Sequence, residues 1–185
     1  MNGIRKIYNV LNKISDFIER KLKAVIGVLI FTCAFTLLLQ VVYRFILVRF
    51  VTLPLTFTEE YARYALIWST YFSLGICFKE GSMASVNFIY DRLKPRPKLV
   101  LYYVTRIIVL MFLVIGLVYG AKATQNNLIY NSPSMRIPGV FLYSAPFVGC
   151  ALMIYEVIIE IIGVICGEIE PFAARKIAEE YTEAM

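Results

Sequence analysis

The sequence predicts an all-α integral membrane protein, a single domain over residues 1–185 with four transmembrane helices and both termini in the cytoplasm. Apolar residues make up 59% of the 185 positions and charged residues only 17%, and the mean hydropathy is +0.70. Typical soluble domains have about 45–50% apolar and about 25% charged residues. A chain of this length cannot bury so many apolar side chains inside a globule, so we expect it in a membrane.

The first segment, residues 2–23, is predicted to form a basic amphipathic helix. Apolar residues recur at steps of three and four from Ile4 to Ile18, and lysines and arginines occupy the other face. Helices of this kind lie in the headgroup region of a bilayer, so we expect this one on the cytoplasmic surface. A helix that faces a partner protein is the alternative.

Four apolar segments follow, each long enough to cross a bilayer, which takes about 20 helical residues. We predict spans at residues 24–48, 59–78, 99–121 and 140–165, and a short cytoplasmic tail at 166–185. The first span is too long for a signal peptide and lacks a cleavage site. Between the second and third spans, Pro95 and Pro97 are not expected to continue a helix.

The distribution of basic residues predicts the orientation of the spans. With both termini inside, the inner segments carry 13 lysines and arginines and the outer segments five, while Arg106 lies within a span. Cytoplasmic loops carry the excess of basic residues in membrane proteins. The N-in, C-in arrangement is therefore favoured.

Charged residues inside spans are functional candidates, and the three most serious are Arg106, Glu156 and Glu160. Arg106 lies about 10 Å from the inner end of its helix, counted at about 1.5 Å per residue. Glu156 lies at a comparable depth on the fourth span, and Glu160 lies nearer the headgroups. We predict a structural ion pair between Arg106 and Glu156; a proton or cation relay is the alternative.

Small residues form seams on three of the predicted spans. Such seams let helices approach closely in lipid, either within the chain or against a partner subunit, and both possibilities stay open. The seam residues are Ala65, Ser69 and Ser73 on the second span, Gly116 and Gly120 on the third, and Ala145 and Gly149 on the fourth.

Several classes of protein are disfavoured by composition. The chain has no histidine, which removes the commonest metal ligand and general base and the usual haem ligand. The four cysteines are scattered without a C-x-x-C pair. We find no catalytic cluster or phosphate loop, and expect neither an enzyme nor a cofactor or metal site. Basic residues flank apolar segments, which indicates membrane lipid rather than nucleic acid as a partner.

The segment FTEEYARYALIWSTYFSLGICFKEGSMASVNFIYDRLKPRPK, residues 57–98, resembles the signature region of the small transmembrane subunit of tripartite ATP-independent periplasmic (TRAP) transporters. The chain length and the four-span plan match as well. Two positions depart from the family pattern, Met83 in place of its usual histidine and Asn87 near its acidic residue. The residues that match in order are Glu59, Glu60, Ala62, Arg63, Trp68, Gly75, Gly81 and Val86.

The resemblance implies a scaffold subunit in the cytoplasmic membrane of a bacterium or archaeon. Its implied partners are a large membrane subunit, which carries an organic anion such as a sugar acid with sodium, and a periplasmic binding protein that delivers the anion. The substrate itself is not indicated, because its contacts would lie on those chains. Two other classes stay open: a membrane-anchor or assembly subunit of an unrelated enzyme complex, and a self-sufficient small transporter that uses Glu156 or Glu160.

Two groups of residues at the outer end are candidates for interaction. Glu59, Glu60 and Arg63 are three and four positions apart on a helix, so we expect them to form a cluster, which with Trp68 would lie at the subunit interface or support the fold. The outer segments 49–58 and 122–139, with Asn126 and Ser134 as representatives, are expected to help dock the binding protein.

Overall fold

The computed structural model describes residues 2–46, 56–81, 95–169 and 171. Within these residues the chain forms four α-helices, which confirms the all-α class. They are α1 (Asn2–Phe45), α2 (Thr56–Lys79), α3 (Pro95–Asn126) and α4 (Val140–Cys166). Met83 and Asn87, most of the outer segment 49–58 and most of the tail lie outside the described residues.

Three of these helices are long and apolar enough to cross a membrane: Ile4–Phe45, Arg96–Asn126 and Val140–Cys166. The chain is therefore a membrane protein by the length and composition of its helices. The second helix has sufficient length, but Arg63 and its many hydroxyl-bearing side chains make it less apolar. This helix corresponds to the predicted second span, 59–78, and it does not reach the apolar level of the other three.

The predicted amphipathic helix and the first span are one continuous helix. α1 has 44 residues, or about 66 Å at 1.5 Å per residue. Its N-terminal half does not form a separate surface helix: Tyr8 is buried with Ile159 and Ile169, and the Tyr155 hydroxyl donates to the Leu11 carbonyl at 3.0 Å. The charge pattern changes near residue 23, but no glycine or proline stands there to end the helix.

The third helix is longer at both ends than its predicted span 99–121. It begins at Pro95 and includes Pro97, although these residues were expected to exclude helix. Proline is tolerated in a first turn, because the N–H groups there have no carbonyl partner within the helix. The inner end of α3 therefore lies four residues earlier in the chain than predicted.

The helices pack in the order α3, α4, α2, α1, so that α4 and α2 are central, and the N-terminal half of α1 also reaches α4. The outward faces of the two flanking helices are apolar and exposed. Phe31 and Phe35 of α1 and Met111 and Phe112 of α3 are each more than half exposed. In lipid such surfaces are expected, since acyl chains are as apolar as the side chains.

The small-residue seams of α3 and α4 are packed inside this chain. A Cβ atom at Gly116 would lie 3.0 Å from the Cys150 sulfur, and one at Gly120 would lie 3.0 Å from the backbone nitrogen of Phe147. Ala145 is fully buried. These close contacts set the distance between α3 and α4.

Of the four remaining seam residues, Gly149 and Ala65 join α2 to its neighbours. A Cβ atom at Gly149 would lie 2.7 Å from the ring of Tyr71, so only glycine allows α4 to approach α2 there. Ala65 is buried against Cys33 of α1. Ser69 and Ser73 donate to carbonyls of their own helix, which satisfies their hydroxyls without a partner helix.

The fourth helix ends at a left-handed glycine. Gly167 has φ 73° and ψ 17°, a conformation that costs glycine little. Its N–H donates to the Val164 carbonyl at 3.1 Å, and the Glu168 N–H donates to the Gly163 carbonyl at 3.0 Å. This cap turns the chain so that Ile169 packs back against Tyr8.

Candidate functional site

A cluster of charged residues lies where the C-terminal end of α2 meets α1. The ammonium group of Lys79 forms ion pairs with Asp16 and, at 2.8 Å, with Glu19, and the Lys79 side chain is only 1% exposed. Lys23 binds Glu19 and Glu80, each at 2.5 Å. Two cations and three carboxylates therefore tie α2 to the N-terminal half of α1.

A separate ion pair lies beside this cluster and joins α3 to α4. Arg106 Nη2 is 2.6 Å from Glu160 Oε1, and the Glu160 side chain is 7% exposed. The guanidinium carbon lies 4.7 Å from the ring centroid of Phe78 and 5.1 Å from that of Tyr102. The aromatic faces favour the cation, and the contact with Phe78 brings Arg106 next to the end of α2.

The predicted partner of Arg106 was wrong: the ion pair forms with Glu160, and Glu156 accepts a hydrogen bond from the Ser15 hydroxyl at 2.7 Å. The cause is the register of the two helices. Thr124 of α3 donates to the Tyr143 carbonyl of α4 at 2.9 Å, and counting inward from that contact along antiparallel helices places Arg106 opposite residue 161. The prediction had assumed that the inner ends of α3 and α4 lie level, whereas Arg106 lies 11 residues from the start of α3 and Glu160 only six residues from the end of α4.

We call these two ion-paired groups and the Ser15–Glu156 hydrogen bond the inner polar cluster, after the predicted orientation. Its members come from all four helices. Removing one partner from a buried ion pair leaves an uncompensated charge, which is strongly destabilising. The cluster can therefore hold the four helices in one register.

In the described part of the chain, no group of three or more potential metal-ligating residues occurs together. The carboxylates of the inner polar cluster instead face lysine, arginine or serine side chains.

Glu60 organises the opposite end of the molecule, which we call the outer end after the predicted orientation. Its carboxylate accepts hydrogen bonds from the Ser132 hydroxyl and from the backbone N–H groups of Ser134 and Met135, at 3.1 and 3.0 Å. These three donors belong to the connection between α3 and α4, residues 127–139, which we call the outer loop. One carboxylate thus fixes the loop over the first turns of α2.

The predicted cluster of Glu59, Glu60 and Arg63 does not form. Glu59 accepts from the Gln40 amide at 2.5 Å, while Glu60 binds the outer loop. Arg63 is exposed, and among the described residues it is in no ion pair with either acid. Exposed pairs are worth little, about 0–1 kcal/mol, whereas the loop offers Glu60 three converging donors.

Three other predicted residues lie at this end. The Trp68 indole N–H donates to the Phe141 carbonyl at 2.8 Å, which joins α2 to the first turn of α4. Asn126, the last residue of α3, and Ser134 in the outer loop are exposed. The structure therefore places these two side chains on the surface, near the outer loop that Glu60 holds.

The sequence reasoning missed the residues of α1 that complete the inner polar cluster. The segment was predicted to be a surface helix with lysines and arginines on its polar face, and no role was given to Ser15, Asp16 or Glu19. A signal was available, because Ser15 and Glu19 fall on the same helical face as Leu11 and Leu22 and interrupt an apolar stripe. Small or acidic residues within such a stripe indicate a polar partner on a neighbouring helix.

Comparison with known proteins identifies the family. A search of curated proteins finds no match to this chain. Residues 33–167 match the family model of the tripartite ATP-independent periplasmic transporters, DctQ component, and this range covers the last 13 residues of α1 and all of α2, α3 and α4. That family consists of transporter components and not of enzymes. The chain therefore belongs to the DctQ family, the small membrane components of tripartite ATP-independent periplasmic transporters.

Proposed function

We propose that this chain is a fixed scaffold subunit of a sodium-driven TRAP transporter that imports an organic anion. It supports the large membrane subunit, and its outer loop helps to dock the periplasmic binding protein. The inner polar cluster is the observation that carries the scaffold role, because its ion pairs tie the four helices to one another. The flanking helices meanwhile offer broad apolar faces to their surroundings.

DctQ components work with a large TRAP membrane subunit and a periplasmic binding protein as a tripartite system. In our proposal the large subunit carries substrate and sodium, and this chain stays fixed while the large subunit moves. The contacts across both ends of the helices support this division, because they oppose sliding of α2 and α4 past each other.

We further propose that α2 crosses the membrane although it is less apolar than the other helices. It runs antiparallel beside α1, bound at one end by Gln40 and Glu59 and at the other by Lys23 and Glu80. The hydroxyls of Thr32 and Tyr61 meet between these ends at 2.7 Å. The most apolar part of α1 lies between the same contacts, which supports a crossing by α2 beside it. The excess of basic residues supports a cytoplasmic location of both termini.

The docking role has support in the order of the outer loop. Glu60 binds the loop through three donors, so a binding protein would meet a surface that is already shaped. A preformed surface lowers the entropic cost of association. Asn126 and Ser134 are exposed there and available for contact.

The test uses the assembled transporter, with the four native cysteines of this chain replaced by alanine. Single cysteines at Asn126 and Ser134 should react with an impermeant maleimide added outside cells, and a cysteine at Lys6 should react only after the membrane is permeabilised. A cross-linker at Ser134 should capture the binding protein, while the same reagent at Lys6 should not. Full transport by the large subunit and binding protein without this chain would overturn the scaffold role. Absence of binding-protein capture at Ser134 would overturn docking.

A further inference from the structure

An apolar groove opens at the end of the molecule that carries the outer loop. Its volume is about 490 Å³, and its lining comes from α1, α2, the outer loop and the first turn of α4. Aromatic side chains of α2 form much of it. The lining includes Leu29, Tyr61, Tyr64, Trp68, Pro138 and Phe141.

Arg136 is the only charged residue among those that line the groove. It is exposed, and within the described part of the chain it forms no ion pair. Its backbone has φ +53°, a left-handed conformation that is uncommon for a residue with a long side chain. Strained residues of this kind cluster at ligand-binding sites.

The outer loop holds this conformation by its own hydrogen bonds. The Arg136 N–H donates to the Ser132 carbonyl at 3.1 Å, and the Ser132 N–H donates to the Ile137 carbonyl at 3.0 Å. Ser132 also donates to Glu60. The carboxylate that orders the loop therefore also fixes the position of Arg136 at the groove.

We propose that this groove binds one phospholipid of the leaflet that faces the outer loop. The acyl chains lie along the apolar lining, and the phosphate pairs with Arg136. A guanidinium binds phosphate oxygens through two parallel hydrogen bonds. The rings of Tyr61, Tyr64 and Trp68 suit the headgroup boundary, where tyrosine and tryptophan are enriched in membrane proteins.

The charge at the groove favours a lipid over a helix of a partner subunit. A transmembrane helix would have to bring its own carboxylate to Arg136, and a charge within a span is costly. Every phospholipid brings a phosphate at the boundary of the apolar region. This lipid site goes beyond the scaffold role and does not depend on it.

Trp68 provides a direct readout, because it is the only tryptophan in the chain. The full-length chain in detergent micelles is titrated with phosphatidylglycerol that carries bromine on its acyl chains, and bromine quenches a nearby indole. We expect saturable quenching of Trp68. Arg136→Gln should weaken the apparent affinity by about tenfold, while the matched control Arg63→Gln, exposed on α2 outside the groove lining, should bind as the unchanged chain does.

A second titration separates the phosphate from the acyl chains. Brominated diacylglycerol, which lacks the phosphate, should bind the unchanged chain about as weakly as phosphatidylglycerol binds Arg136→Gln, and the substitution should not weaken it further. If Arg136→Gln fails to fold, this comparison on the unchanged chain decides the question. Quenching that does not saturate, or equal affinity for both lipids, would overturn the proposal.

The competing occupant is tested in the assembled transporter. A photoreactive amino acid at Ile137, in the groove lining, should be cross-linked to phospholipid. Cross-linking to the large subunit instead would assign the groove to a protein interface and overturn the lipid site. Neither result bears on whether this chain supports transport, so failure of this inference is distinguishable from failure of the proposed function.

Discussion

Replacing Lys79 by methionine should destabilise the chain strongly, because Lys79 is the most deeply buried charge of the inner polar cluster. Its side chain is 1% exposed and lies between Asp16 and Glu19. Methionine has nearly the same length, so the substitution removes the charge without opening a large cavity. Breaking a buried ion pair by removing one partner costs about 3–5 kcal/mol, because the remaining charge is left without compensation.

Two features of the structure place the expected value near the lower end, about 3 kcal/mol. Asp16 is 44% exposed and can be solvated once Lys79 is gone. Glu19 keeps its contact with Lys23 at 2.5 Å. The remaining cost arises because the Glu19 side chain is only 10% exposed, so that one surface lysine compensates it incompletely.

Lys23→Met is the matched control. Lys23 contacts Glu19 and Glu80, but its side chain is 40% exposed, and exposed ion pairs contribute about 0–1 kcal/mol. Both variants are purified in the same detergent, and the free energy of unfolding is measured by denaturant titration followed by circular dichroism. The double variant Lys79→Met with Glu19→Gln should regain part of the loss, since it also removes the uncompensated carboxylate.

Equal stability of Lys79→Met and Lys23→Met, with both within about 1 kcal/mol of the unchanged chain, would refute the reasoning. Such a result would mean that water reaches Lys79 and its partners. A large loss with no recovery in the double variant would also contradict it, because the cost would then come from packing and not from charge.

Two further predictions concern the other helix contacts. Arg106→Leu should lower the yield of folded chain in size-exclusion chromatography. Adding Glu160→Leu should restore most of the yield, whereas adding Glu156→Leu should not. Equal rescue by the two second substitutions would contradict the observed pairing. Gly149→Ala should lower the free energy of unfolding, measured by thermal denaturation, by about 1–3 kcal/mol, because the added methyl group would overlap a tyrosine ring of α2. Gly27→Ala is the control: nothing lies within 4 Å of its Cβ position, so the better helix propensity of alanine should stabilise the chain slightly, and a loss equal to that of Gly149→Ala would refute the packing explanation.

The sequence alone predicts the bounds of a helix well where the apolar pattern is strong. The last span was predicted at 140–165 and forms the helix Val140–Cys166, because Gly167 supplies a clear end signal. The family was also recognised from residues on α2. These features are local, since each depends on neighbours in the chain or on the order of residues within one segment.

The ion-pair partner of Arg106 could not be predicted from local sequence features. Glu156 and Glu160 lie one helical turn apart on one face of α4, so the choice between them depends on sliding α3 by about 6 Å, at about 1.5 Å per residue. That register is set by distant contacts such as Gly120 against Phe147. Counting from predicted ends is uncertain by several residues, which is enough to exchange one acid for the other.

The same limit applies to the N-terminal half of α1. Its basic face fits a surface helix. Ser15 and Glu19 lie on another face, and their role can be recognised only once the structure shows that Glu156 and Lys79 bind them. Those residues lie 141 and 60 positions away along the chain. Amphipathicity shows which faces a helix has, but it does not show which helix each face meets.

The physical basis of the proposed rigidity lies in where the polar contacts occur. In lipid, one apolar side chain gains little by leaving acyl chains for another helix, so van der Waals packing and polar contacts decide how helices associate. Here the close packing lies in the middle, where Gly149 meets Tyr71, and the polar contacts lie at both ends of α2, through Glu60 at one end and Lys79 at the other. Sliding α2 along α4 by one turn would lose the glycine fit, the Glu60 contacts and the Trp68 hydrogen bond to Phe141 together. Because these losses coincide, small displacements are opposed by the whole set, and a subunit built in this way is suited to hold still while its partner moves.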